Sequence, residues 1–457
     1  MDNNINNLSN QYDPNSFNGM DNKNQQNELY NEQKVKSAGC FFRGVATGVT
    51  VTLVILVMAL VLNILINKDY IETDDEETLM NNAWQNQDVE LSEDMEEIFN
   101  KAQYLQNIID RFYYYEEDMD KLADGIYEGM LESLGDPYSV YYDEEAFKAL
   151  TESTSGQYCG IGVVISQDPE TMIMTVVNPY EGCPGYEAGI KPGDIIIGAD
   201  DIDFTGMDSS EAVSYIRGEE GTSVTIKIKR GNETLEIPVT RKQIDIPTVD
   251  YENIDGNIAH ISITSFDEVT YDQFKDALKQ AENDGCKGYI FDVRDNGGGL
   301  YTTVVDMLDD LLPKGKIVFT KDKNGLGSTE YSDDACLEAP MAVLINGNSA
   351  SASEIFAGAI QDYGVGKIIG TKSFGKGIVQ SIIPLGDGTA VKVTVSSYFT
   401  PNGRDIHGEG ITPDIEVELP IADDSDKKEA YDENGYLKEE YDTQLQEAVK
   451  YIQGELE

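Results

Sequence analysis

Residues Met341 to Gly364 read MAVLINGNSASASEIFAGAIQDYG. The run Met341–Ile345 is short, apolar and closed by Asn-Gly, which predicts a buried strand. Ile355, Phe356, Ala359, Ile360 and Tyr363 then recur at helical spacing, with Gly364 as a C-terminal stop. Ser349, Ser351 and Ser353 therefore lie at a strand-to-helix junction, where backbone N–H groups lack helical partners and the dipole favours negative charge. Two readings stand side by side. In one, Ser351 and Glu354 form an S-x-x-E capping box, Ser353 caps equally well, and the small residues allow close packing. In the other, a serine is a nucleophile beside amides that hold an oxyanion.

A serine nucleophile needs a base, and the chain has 2 histidines. His260 lies in the apolar pattern IAHISITSF and reads as a core histidine. His407 lies in the polar loop DIHGEG. Neither has a recognisable triad context. Downstream, in KIIGTKSFGKGIVQSIIPL, Lys376 sits between glycines and is flanked by apolar strands that favour its burial. Burial lowers a lysine pKa, which a lysine base requires. Gln380, four residues on, can orient the amine without adding charge. Asp362 ranks below it as a relay residue, since a helix of 1.5 Å per residue puts it about 16 Å from Ser351. Upstream, GYIFDVRDNGGGL predicts a buried strand ending in a glycine-rich turn, where a backbone N–H can be left to face a substrate. Asp295 and Asn296 read as turn formers.

Strands alternate with helices through this half of the chain, predicting an α/β core with βα crossovers. Before it, from Gly156, come short β-rich runs separated by glycines. Residues 89–150 carry helical periodicity. Residues 1–33 are rich in Asn, Gln and Asp with few hydrophobics and read as a disordered tail. Val45 to Ile66 is uncharged and about the length that crosses a bilayer as a helix. It lies too far from the N-terminus for a typical cleaved signal peptide. Lys34, Lys36 and Arg43 precede it, so the tail is expected in the cytoplasm and the rest of the chain outside. The formal charge of −51 opposes nucleic-acid binding. The 5 cysteines are widely spaced with no CxxC pair, giving no zinc or disulfide pattern.

The ordered strings GQYCGIGVVI, AGIKPGDIIIGAD and RGEEGT resemble a PDZ domain over about Gly156 to Ile246. The resemblance makes Gly160-Ile161-Gly162-Val163 the carboxylate-binding loop, beside a strand edge to which a peptide C-terminus adds. With DPYSVYY, FDVRDNGGG, SASASEI, FGKGIVQ and YFTPNGRDIHGEGITPD, the chain from about Leu91 onward resembles the C-terminal processing peptidases, which are Ser–Lys dyad enzymes. That resemblance implies Ser351 as nucleophile, Lys376 as base, Gln380 as its support, and the Ala352 and Gly298 amides as oxyanion hole. It implies no metal or organic cofactor. DNGGG has glycine where the family often has proline or serine, and Cys183 and Gly185 stand where Ser and Ala are more usual.

The expected architecture is a multi-domain α+β and α/β chain: tail 1–44, single transmembrane helix 45–67, helical region 68–150, PDZ domain 156–246, crotonase-like α/β protease core 247–420 and C-terminal helical segment 421–457. The expected function is a membrane-anchored serine endopeptidase acting outside the cytoplasm on protein and peptide C-termini, with a homo-oligomer as a further partner state and no nucleic acid. The rivals are an inactive membrane-anchored PDZ adaptor and a Ser-His-Asp hydrolase using His260 or His407.

Overall fold

The computed structural model describes residues 93–420, 430–431 and 437–457. The predicted tail 1–44 and anchor 45–67 lie outside them. Among the described residues no helix is long and apolar enough to cross a membrane. The described chain forms two units, residues 93–130 with 385–387, and residues 131–384 with 388–457.

The first unit is built on α1 (Glu93–Phe112) and most of α2 (Met119–Glu132). Glu93, Asp94 and Glu96 open α1 and Arg111 lies in its last turn, complementing the helix dipole at both ends. Gln106 Nε2 donates to Glu117 Oε2 at 2.9 Å, tying α1 to the connection that leads into α2.

The second unit begins with β1 (Val140–Tyr142) and α3 (Glu144–Ser155), whose N-cap Asp143 accepts from the Ala146 N–H at 2.8 Å. The expectation of a helical region to residue 150 is thus corrected at 140–142. Pro137 interrupts the helical pattern, and the β-branched and aromatic run Val-Tyr-Tyr takes a place in a sheet.

A small β module follows: β2 (Gln157–Gly160), β3 (Val163–Gln167), β4 (Met174–Pro179), the turn of helix α4 (Pro184–Glu187), β5 (Ile195–Ala199), β6 (Ile202–Asp203), α5 (Ser209–Ile216), β7 (Ser223–Arg230), β8 (Glu233–Thr240) and β9 (Lys242–Asp245). The antiparallel order is β3-β4-β5-β7-β8, with β6 on β5, so β3 is an edge strand. Met174, Val176, Ile226 and Ile228 alternate inward and are buried. β2 pairs with β9, Gln157 opposite Asp245, so the module leaves and returns to the chain at one place.

The remaining elements are β10 (Val249–Ile254), β11 (Ile258–Ile263), α6 (Thr270–Asn283), β12 (Gly288–Asp292), α7 (Tyr301–Asp309), β13 (Gly315–Asp322), β14 (Thr329–Ser332), β15 (Met341–Ile345), α8 (Ala352–Tyr363), β16 (Gly366–Gly370), β17 (Ile378–Pro384), β18 (Ala390–Phe399), β19 (Ile415–Glu416) and α9 (Thr443–Leu456). One sheet runs β10-β11-β12-β15-β16-β19, parallel except at β10. β12 and β15 are buried at every position, as expected for parallel strands covered on both faces. Ile258, Ile290, Ala342, Leu344 and Ile369 form one face and pack with Ala448 and Ile452 of α9. Ala259, Ile261, Phe291, Val343 and Ile368 form the other, with residues of α6, α7 and α8. The second sheet is antiparallel, β1-β18-β13-β14, with β17 also on β18.

α9 is fastened by charge as well as by apolar contact. Arg294 donates to Asp292 (Nη2 to Oδ2, 2.6 Å) and to Asp442 (Nη1 to Oδ1, 2.8 Å), the residue that caps α9. All three side chains are nearly buried. Burial opposes charge on Asp292, but the Arg294 guanidinium and the hydrogen bonds from His260 and Arg294 outweigh it and hold the carboxyl well below the usual range. Arg294→Met would leave two carboxylates without their cation, and a loss of about 3–5 kcal/mol is expected in urea unfolding at pH 7. Because the folded pKa of Asp292 is depressed, its contribution is present above the unfolded value of about 3.9 and is lost as pH falls toward the folded value. The gap between wild type and variant should therefore narrow in acid.

Candidate active site

The turns that follow β12 and β15 meet at the carboxyl ends of these adjacent parallel strands, the usual place for a site in such a sheet. Asp295 and Asn346 join them. Asn346 Oδ1 accepts from the Asp295 N–H at 3.0 Å, and Asp295 Oδ1 accepts from Asn346 Nδ2 at 2.9 Å and Asn348 Nδ2 at 2.8 Å. Asn296 is fully buried. Its amide donates to the Ile263 carbonyl at 2.8 Å, and its Oδ1 accepts from the Gly298 N–H at 2.8 Å.

The three serines have different fates. Ser349 Oγ donates to the Val293 carbonyl at 2.7 Å and Ser353 Oγ to the Asn296 carbonyl at 2.8 Å, both fully buried. Each is a cross-link to the glycine-rich turn. Ser351, between them, is partly exposed, with φ 56° and ψ −113°. A positive φ in a non-glycine residue costs of order 1–3 kcal/mol and persists only where surrounding bonds dictate it. Here the Ser351 carbonyl accepts from Tyr398 Oη at 3.0 Å as well as from the Glu354 and Ile355 N–H groups at 2.9 and 3.0 Å. On its other side, the Ser351 N–H donates to Glu354 Oε2 at 3.0 Å.

Glu354 belongs to α8, which is buried from Ala352 to Ile360 without interruption and packs on all sides. Its carboxylate receives four donors. Oε2 accepts from the Ser351 and Lys376 N–H groups at 3.0 and 2.8 Å. Oε1 accepts from the Gly375 N–H at 2.7 Å and Ser373 Oγ at 2.6 Å. The backbones of Ser351 and Lys376 are thus separated by one oxygen atom. Glu354 enters the sequence reading only as a helix cap, although its place one turn after Ser351 on an apolar helix is a legible signal of burial.

The Lys376 side chain is half-buried, with Nζ 4.5 Å from the centre of the Tyr138 ring. Burial, reinforced by the Lys392 ammonium, pushes its pKa down, while Asp136 and Glu354 pull it up; the net direction is below the ordinary lysine value. Gln380 Nε2 donates to Thr394 Oγ1 at 3.3 Å. The Thr394 N–H donates to Ser139 Oγ at 3.1 Å, and that hydroxyl donates to Asp136 Oδ2 at 2.6 Å. The segment DPYS, whose chemistry the sequence reading left unassigned, therefore forms a wall around the lysine.

The amides proposed for an oxyanion hole are adjacent but not equivalent. Gly298 has φ 108°, and a Cβ there would come within 2.8 Å of Ser351 Cβ and 3.1 Å of the Ala352 nitrogen, so only glycine fits. Its N–H, however, is turned to Asn296 Oδ1. The Ala352 N–H, at the first position of α8, has no acceptor recorded among the described residues.

The histidines take other roles. His260 Nε2 faces Asp292 Oδ2 at 3.3 Å and Ser262 Oγ at 3.5 Å. Both partners address the same ring nitrogen, whereas a Ser-His-Asp relay needs one on each. His407 is exposed, its backbone lying against Gly377. Asp362 is committed to Arg404 at 2.6 Å and to the Asn402 N–H at 2.8 Å.

In the β module, Gly160 and Ile161 line a groove between edge strand β3 and α5, walled also by Val163, Ile165, Val213 and Ile216. Gly162 has φ 70°, with its carbonyl accepting from the Tyr180 N–H at 2.9 Å. Burial pushes the Tyr158 phenol up to about 12, with the Gly162 N–H acting weakly in the opposite direction. Arg217 lies 4.7 Å over the Tyr158 ring and pairs with Glu152 at 2.8 Å.

If Glu354 is the common anchor, Glu354→Gln places an NH2 group against two donors. It should cost about 2–3 kcal/mol in denaturant unfolding. An unchanged unfolding midpoint would show that the four bonds do not act together.

Residues 257–417 match the model of Peptidase family S41, residues 175–230 that of a PDZ domain, and residues 65–146 that of the activating protease CtpB N-terminal domain. The chain is 36% identical over 325 residues to a probable CtpA-like serine protease of Staphylococcus aureus, covering 70% of this chain and 65% of that protein. A protein of the same description from Staphylococcus epidermidis is 36% identical over 324 residues with the same coverage. The chain thus spans 65% of the length of the curated relatives it matches. A solved photosystem II C-terminal processing protease is 26% identical, with a TM-score of 0.42 over 76% of this chain and 95% of that one. Residues 257–417 are thus similar to peptidase family S41, and the segments before them to a PDZ domain and to the N-terminal domain of the activating protease CtpB.

Proposed function

We propose that this chain is a membrane-anchored serine endopeptidase that cleaves extracytoplasmic proteins at or near their C-terminal tails through a Ser351–Lys376 dyad. The observation that carries the reading is the strained Ser351 beside a desolvated Lys376, both fastened to one carboxylate oxygen. Neutral Lys376 accepts the Ser351 proton as Oγ attacks a peptide carbonyl carbon. The Ala352 N–H holds the developing oxyanion, joined by the Gly298 N–H once it exchanges Asn296 Oδ1 for substrate. Protonated Lys376 then gives its proton to the leaving amine. Water, deprotonated by the same lysine, attacks the acyl ester and restores Ser351. Gln380 supports the amine from β17. The run Val45–Ile66 serves as the anchor, with the tail 1–44 in the cytoplasm.

A fluorophosphonate should label Ser351 in the wild type and fail in Ser351→Ala. Peptide hydrolysis in Lys376→Ala should fall about a thousandfold or more. Labelling should rise with pH, since lysine must lose its proton to act, and the rise should begin below the ordinary lysine range because burial lowers the pKa. Full activity in Lys376→Ala, or its loss in the double variant His260→Ala, His407→Ala with the fold retained, would sink the scheme.

The groove between β3 and α5 is the recognition or gating site for the substrate C-terminus. Tyr158, Gly160 and Ile161 line it. Peptides with a free apolar C-terminus should bind there about tenfold or more tightly than their C-terminally amidated forms, as expected for a carboxylate held by backbone N–H groups. Fluorescence anisotropy reads this. Equal affinity for both forms would exclude a carboxylate loop.

A further inference from the structure

Lys376 is faced by charged or titratable groups from several elements. Asp136 and the Tyr138 ring come from the segment before β1, Glu354 from α8 and Lys392 from β18. The loop around His407 and Glu409 lays its backbone against Gly375 and Gly377 and leaves both side chains exposed. Two carboxylates and an aromatic face thus favour the ammonium form, and one lysine opposes it.

The strand registers place that opposing lysine. Val140 of β1 and Ile382 of β17 both stand opposite Lys392, and Gln380 stands opposite Thr394. Opposed residues share a face of a sheet, as do residues two apart. Lys392, Thr394, Gln380 and Tyr142 therefore share one face. On it, Tyr142 holds Lys392 Nζ at 5.2 Å from its ring centre, and Thr394 accepts the Gln380 amide. Tyr138 and Tyr142 each hold one lysine, and Ser139 between them bonds Asp136 and Thr394.

We propose that Lys392 is a positioning residue for the dyad: its ammonium, held by Tyr142, opposes a second positive charge at Lys376 and keeps the base in its neutral, proton-accepting form. An amine beside another cation is activated in this way, without contact between Lys392 and the substrate. The inference rests on the Ser–Lys reading of the site and extends it to what, beside burial, keeps the lysine neutral.

Two readouts test it on the full chain. In the first, lysines are reductively methylated with 13C and Lys376 is titrated by NMR, its signal assigned by its loss in Lys376→Arg. Lys376 should titrate at higher pH in Lys392→Met than in wild type, and Lys392→Arg should restore the wild-type value. In the second, fluorophosphonate labelling and peptide hydrolysis are followed against pH. The acid limb of Lys392→Met should move to higher pH, with kcat reduced at neutral pH and KM unchanged, and Lys392→Arg should again recover. An unchanged Lys376 titration in a folded Lys392→Met overturns the proposal. So does equal loss in the Met and Arg variants, the mark of a packing role. A wild type that never labels Ser351, while Lys376 still shifts in Lys392→Met, overturns the dyad reading and leaves the charge coupling standing.

Discussion

The Glu354 carboxylate is the constraint on which the site depends. Four donors from two separate turns converge on it in a fully buried position, and two of them are the N–H groups of Ser351 and Lys376. Losing any one donor leaves a polar group without water to replace its partner, so the arrangement resists partial opening. This over-determination lets Ser351 keep a backbone conformation that it would not adopt in isolation.

Around that anchor the site is divided between two sheets. The parallel sheet supplies the turns after β12 and β15, pinned to each other by Asp295 and Asn346 and by the hydroxyls of Ser349 and Ser353. The antiparallel sheet supplies the surroundings of Lys376 through β17, β18 and the segment before β1. The backbone geometry of Ser351 and the electrostatics of Lys376 therefore sit on separate scaffolds, with Glu354 as the bond between them. Arg294, one residue before Asp295, ties the same turn to α9 at the far end of the chain.

Much of this was legible in the sequence because it is local. The strand-turn-helix at 341–364 and the strand ending in DVRDNGGG follow from periodicity and turn chemistry, whereas the edge strand after Gly162 is implied by the resemblance to a PDZ domain. Ser351 could not be separated from its neighbours by pattern alone. What distinguishes it is that Ser349 and Ser353 spend their hydroxyls on carbonyls more than fifty positions away. The direction of the Gly298 N–H was equally invisible, since it depends on which acceptor Asn296 offers. The strand at 140–142 read as part of a helical region because its partner lies at 390–392. No window of local sequence contains both.

That long-range pairing has a consequence in the order of synthesis. Val140 is made before the whole PDZ domain and the parallel sheet, yet its partner Lys392 emerges only after them. Until then the Tyr138 ring, Asp136 and Lys392 cannot surround Lys376. Tyr398, whose hydroxyl holds the Ser351 carbonyl, comes later still, so a ribosome-bound fragment that stops before these strands lacks both the bonds that hold the strained Ser351 turn and the surroundings of Lys376.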